Sequence, residues 1–172
     1  MRSGLAVTTC LVACLGCDAF DVDDGREGVA SRDADRAKRT KTSSAGKLGD
    51  TLRAENFDVL VHEVEDPYVP TEGKPKASHR MLAFDVELQH AGGDESLKYS
   101  GSKWHLYDRE GHAFEAVVLD NRVKEPKLTE GFVTPGNKAR GFVTFEVPTD
   151  AALDRVEFFT GYVSGATASF KL

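Results

Sequence analysis

Beyond its first seventeen residues this chain has no cysteine. Cys10, Cys14 and Cys17 fall within an eight-residue window, and none follows. Disulfides are therefore excluded for everything after Cys17, and packing alone must hold that part together. An excess of positive charge is also missing: 22 Lys and Arg stand against 28 Asp and Glu, a net −6. Sequence-independent nucleic-acid binding needs a basic patch to displace counterions, so no nucleic-acid partner is expected. The apolar stretch Gly4–Gly16 falls short of the ~20 residues that span a bilayer. There is no G-x-S-x-G elbow and no glycine-rich phosphate loop. Ser78-His79 and Ser102 with His105 are serine–histidine neighbours, but adjacency alone supplies no orienting acid. Neither an enzymatic activity nor a cofactor is expected.

What the N-terminus does have is a positive charge at Arg2, an uncharged run GLAVTTCLVACLG, and Asp18 at its end. A basic start, a short apolar stretch and small residues are the parts of a secretory signal. The run resembles a bacterial lipoprotein signal peptide, in which an aliphatic residue, a small or aliphatic one, then Gly, Ala or Ser precede the cysteine that becomes lipidated. Leu11-Val12-Ala13-Cys14 fits at every position. Cys14-Leu15-Gly16-Cys17 departs at the first, but gives a signal of more usual length and a polar chain that starts at once. The resemblance implies lipid attachment at Cys17, with Cys14 as the alternative, and a membrane as one partner. Two or more acyl chains anchor stably, at ~0.8 kcal/mol per buried CH₂. A CxxC redox pair at Cys14 and Cys17 fits poorly, because it needs a folded helix N-terminus to lower the thiol pKa.

Residues 17–46 hold few apolar side chains and no helical or strand period. Such a stretch cannot offset its own ordering entropy and reads as a flexible linker. Asp21-Val22-Asp23-Asp24-Gly25 approaches a calcium loop, but its Gly comes one residue early and Arg32 stands where the final Glu belongs. The signal is thus assigned to 1–16, the linker to 17–46 and a folded domain to 47–172.

In the last segment the pattern turns to period two. Phe57, Val59 and Val61 alternate with Asp58, Leu60 and His62, and Leu82, Phe84, Val86 and Leu88 with Ala83, Asp85, Glu87 and Gln89. Trp104 and Leu106, then Phe114, Ala116 and Val118, then Val143, Phe145 and Val147 continue it, followed by Val156 with Phe158 and Ala166 with Ala168 and Phe170. Alternation means one face in and one face out. Turn residues separate the runs at Gly92-Gly93-Asp94, Asp108–Gly111, Pro135-Gly136-Asn137 and Pro148-Thr149-Asp150. The expected fold is all-β, an antiparallel immunoglobulin-like β-sandwich, with Trp104 in its core. Pro67–Ser78, with three prolines, reads as a disordered or contact loop, and Asn121–Gly131 as an exposed loop or short strand edge. Asp85 and Glu87 fall on what alternation makes the solvated face.

Several of these segments carry a family resemblance. Gly49-Asp50, the Phe57–Val64 strand, Met81–Leu88 followed by Gly92-Gly93-Asp94-Glu95, the Trp104–Gly111 hairpin, and above all Pro135-Gly136-Asn137-Lys138 with Gly141–Pro148 are similar to the telokin-like, immunoglobulin-like extracellular domain of bacterial lipoproteins and secreted proteins. The resemblance implies the fold and an envelope location. It implies no shared active site.

One pair of side chains has geometric content. If Asp108–Gly111 is a four-residue turn, Tyr107 opposes His112, and His105 lies diagonal to it on the same face, about 7–8 Å away. Two imidazoles so placed, with Asp or Glu nearby, suit a soft divalent ion; the plainer alternative is two histidines on a solvated face. The functional expectation is a lipid-anchored cell-envelope module that binds an envelope protein or glycan. A metal- or small-ligand-binding module using His105 and His112 is the alternative.

Overall fold

The computed structural model describes residues 43–161 and 165–172. Cys14, Cys17, the signal and the calcium-like loop lie outside the described residues. Within them the chain forms β1 (Ser44–Lys47), β2 (Thr51–Ala54), β3 (Phe57–Tyr68), β4 (His79–His90), β5 (Leu97–Ser100), β6 (Trp104–Asp108), β7 (Ala113–Val117), β8 (Glu130–Val133), β9 (Lys138–Pro148), β10 (Leu153–Phe159) and β11 (Thr167–Lys171). The structure is all-β, as alternation predicts. One 3₁₀ turn, Gly101–Lys103, precedes β6.

Nine strands form a continuous sheet in the order β1-β11-β10-β6-β7-β9-β4-β3-β2. It folds over into two layers. β7 is the shared strand, pairing with β6 at Leu106↔Phe114 and with β9 at Ala116↔Phe145. The free ends meet where the Ser44 hydroxyl donates to the Arg53 carbonyl. β1 starts at Ser44, inside the stretch read as linker, and runs parallel to β11. Its small residues carry no alternation; hydrogen bonds to β11 make it a strand.

The alternating residues meet in one core. Val59, Val61, Leu82, Phe84, Val86, Leu88, Phe145 and Val147 come from one layer; Trp104, Leu106, Val156, Phe158, Ala168 and Phe170 come from the other. Phe158 joins the layers, its ring 5.5 Å from Phe57 and 5.1 Å from Trp104. β3 holds its pattern across a bulge: Val61 faces Val86, but Glu63 faces Asp85. The extra residue, His62, shifts the phase so that Val64 turns inward in place of Glu63.

β4 departs from one-face-in. Ala83 and Asp85 on its outer side are buried, like Phe84 between them. Tyr68, Met81, Ala83 and Phe142 form a second small apolar cluster there. The covering element is the strap of residues 118–129, most of which lies in Asn121–Gly131, expected as an exposed loop or short strand edge. Leu128 N–H donates to the Phe142 carbonyl, and Phe142 N–H donates to the Pro126 carbonyl. Leu128 then enters the main core. The strap passes at Gly141, where a Cβ would lie 2.7 Å from the Pro126 oxygen and 2.9 Å from the Leu128 nitrogen. Backbone cannot yield as a side-chain tip can. Gly141→Ala is therefore expected to destabilise the protein by about 1–3 kcal/mol, the usual cost of overpacking, measured as a lower urea midpoint at unchanged slope. An unshifted midpoint would show that the strap does not pass here.

Candidate functional site

The β6–β7 turn is organised by one carboxylate. Asp108 shares its parity with Trp104 and Leu106, so it ends β6 pointing inward and is buried. Its Oδ1 accepts the N–H groups of Glu110 and His112, each at 2.9 Å. Its Oδ2 accepts Nδ1–H of His112 at 2.9 Å. Burial works to raise the Asp108 pKa, but the His112 side chain and the two N–H donors outweigh it and hold the carboxyl below its ordinary value. The hydrogen bond from His112 to Asp108, with the charge behind it, raises the imidazole in turn.

This turn forms one wall of a cleft of about 380 Å³; the other wall is the β9–β10 turn, with Pro148, Asp150, Ala151 and Ala152. Arg109 N–H ties the walls by donating to the Ala152 carbonyl at 2.8 Å. Arg80 holds the second wall. It donates to the carbonyls of Pro148, Thr149 and Ala151 and to Asp66 Oδ1.

The histidine pair expected from the sequence does not form. Tyr107 opposes Ala113, not His112, and His105 opposes Glu115. Because strand faces alternate, this slip of one residue puts the two imidazoles on opposite sides of the sheet. His105 lies on the outer face, its ring 5.1 Å from Phe159 and 6.5 Å from Tyr107. His112 keeps company instead with Asp108 and Glu110. The donor atoms of these three lie within 4.8 Å of one another, the one such cluster among the described residues. The spacing D-x-E-x-H across a tight turn was the available signal; read only as turn chemistry, it was missed.

Asp85 needs a second correction. It is buried and takes a two-point contact from Arg140, at 3.0 and 2.6 Å, because the strap removes the solvent that alternation alone would grant. Four residues along β4, where Met81 pairs with Glu146, Arg122 gathers the covering loops. It donates to Asp120 Oδ2, to Glu146 Oε1 at 2.8 Å and to the Lys74 carbonyl. Lys76 N–H also donates to Glu146 Oε1, at 2.6 Å. The proline-rich segment is thus strand through Tyr68 and then a loop fixed to the strap. A second groove, about 330 Å³, runs between Leu119, which is 95% exposed, Val118, Thr129 and Ser102.

Residues 46–168 match the family described as Domain of unknown function (DUF4352). The chain belongs to that family. Three solved structures resemble this DUF4352 domain. The yjhA protein of Bacillus subtilis is 16% identical with a TM-score of 0.55, covering 73% of this chain and 99% of its own. The secreted protein MPT63 of Mycobacterium tuberculosis is 13% identical with a TM-score of 0.57, covering 77% and 100%. The "putative lipoprotein" ycdA of Bacillus subtilis is 15% identical with a TM-score of 0.56, covering 73% of this chain and 38% of its own. At these identities the likeness shows the β-sandwich fold alone. No curated protein matches the DUF4352 chain in sequence. No helix among the described residues is long and apolar enough to cross a membrane.

Two outcomes follow from the ion pairs. Arg140 holds Asp85 below its ordinary pKa, Arg122 does so for Asp120, and Lys171 for Asp154. A depressed folded pKa means the stabilisation is complete above the unfolded value, about 4, and lost as pH falls through the lower folded value. Thermal midpoints should hold level from about pH 6, below which the contribution of the raised His112 is complete, to about pH 4 and drop below that, less steeply in Asp85→Asn. A midpoint that stays level to pH 2 would contradict this. Arg122→Ala strands Glu146, whose side chain is only 5% exposed, and is expected to cost about 3 kcal/mol in denaturant unfolding. Arg122→Lys, which keeps the charge without the fork, should recover only part of that.

Proposed function

We propose that this DUF4352 protein is a lipid-anchored, non-catalytic binding module of the cell envelope. The observation that carries the reading is Leu15-Gly16-Cys17-Asp18: a cysteine after small and apolar residues, at the step from an uncharged run to a polar chain. Two neighbours of the same fold support it by name, one called a secreted protein and one a "putative lipoprotein". A β-sandwich without cysteines suits such a place only if packing suffices, and the core that spans both layers supplies that packing. The non-catalytic part is supported by the fate of the serine–histidine neighbours. His79 gives its Nδ1 to the Ala77 carbonyl, and His105 packs on Phe159 and Tyr107. Binding is assigned to the end that carries the cleft between the β6–β7 and β9–β10 turns, where loops on a rigid scaffold present polar groups. The partner class is an envelope protein or glycan.

The test is the intact mass of protein extracted from membranes, with Cys14→Ala and Cys17→Ala beside the wild type. A mass equal to the chain from Cys17 plus acyl chains is expected, lost in Cys17→Ala. Loss in Cys14→Ala instead moves the attachment to Cys14. An unmodified chain overturns the anchor.

A further inference from the structure

We propose that Asp108, Glu110 and His112 form a binding site for a borderline divalent cation of the zinc class. The site goes beyond the envelope-binding reading and stands without the anchor. The donor set is mixed, one imidazole nitrogen with two carboxylates, which suits zinc better than the all-oxygen shells of calcium or magnesium. Spacing supports the same ion. His112 Nδ1 is 2.9 Å from Asp108 Oδ2 and 3.6 Å from Glu110 Oε2. Metal bonds of about 2.0–2.2 Å set neighbouring donors about 2.8–3.6 Å apart for ligand angles between 90° and tetrahedral. The two separations from His112 thus already match the edges of a coordination shell, and all three donors lie within 4.8 Å of one another.

The scaffold makes the arrangement local and fixed. Asp108 is held by two backbone N–H donors through the oxygen that does not face the imidazole, so its Oδ2 is aimed without cost to the turn. Glu110 is well exposed and swings in from the tip. The three donors line the cleft of about 380 Å³, which leaves room for water or a ligand atom to complete the shell. An ion here would present an open coordination position to whatever enters the cleft.

Zinc chloride alone, titrated calorimetrically into the full chain after its three thiols are alkylated, tests the site. One ion per chain is expected. His112→Ala and Glu110→Gln should each weaken binding by at least about tenfold, and His105→Ala should leave it unchanged. Absence of binding, equal binding in both site variants, or loss in His105→Ala would overturn the proposal. Should His112→Ala fail to fold by circular dichroism, Glu110→Gln decides, since its side chain is 81% exposed and leaves the turn intact.

Discussion

Glu146 is a carboxylate buried on the outside of a sheet, and much of the domain's periphery is arranged around that fact. Burial alone would push its pKa up; the Lys76 N–H and the Arg122 guanidinium reverse this and hold it down. A buried charge is tolerable only when paired and hydrogen-bonded. Satisfying it draws in two long segments at once: the loop after β3, through Lys76, and the strap, through Arg122. Arg122 in turn is braced by Asp120 and by the Lys74 carbonyl. The outer face of β4 and β9 thereby becomes a second interior. Lys124 closes its other side, its ammonium 4.3 Å from the Phe142 ring centre and paired with Glu65.

This arrangement explains which parts of the fold were legible. The residues facing the main core repeat every second position, so β3, β4, β6, β7, β9, β10 and β11 could be read directly. Such a pattern records one interface per strand. It cannot record the second, because Ala83, Asp85, Thr144 and Glu146 look like ordinary polar or small outward residues until the strap lies over them. β5 and β8 pair only with each other, over four residues, too short for periodicity to register. β1 has no apolar alternation, and its identity comes from a partner more than a hundred residues away.

The histidine assignment failed for a related reason. Register in a hairpin is set by the turn, and a change of one residue in its length exchanges the faces of the partner strand. Asp108, taken as the first turn residue, is instead the last of β6, because its carboxylate closes the turn on itself through three hydrogen bonds. The residue that spoiled the expected pair is the one that built a different cluster. Candidate residues were legible as types, and their association had to await the register.

The same sheet fixes where that cluster sits relative to the chain's beginning. β10 has Phe159 at one end, paired with Thr167, and Leu153 at the other, paired with Asp108. Thr167 N–H donates to the Ser43 hydroxyl, so the described chain enters at the Phe159 end. Asp108 and the cleft occupy the Leu153 end, six residues along the strand and so about 20 Å away. With attachment through the N-terminus, the cleft faces away from the point where the chain arrives. β10 sets which end of the sandwich lies farther from Ser43. An anchor elsewhere on the domain would forfeit that arrangement, which ties the question of Cys17 to the question of what the Asp108 cleft meets.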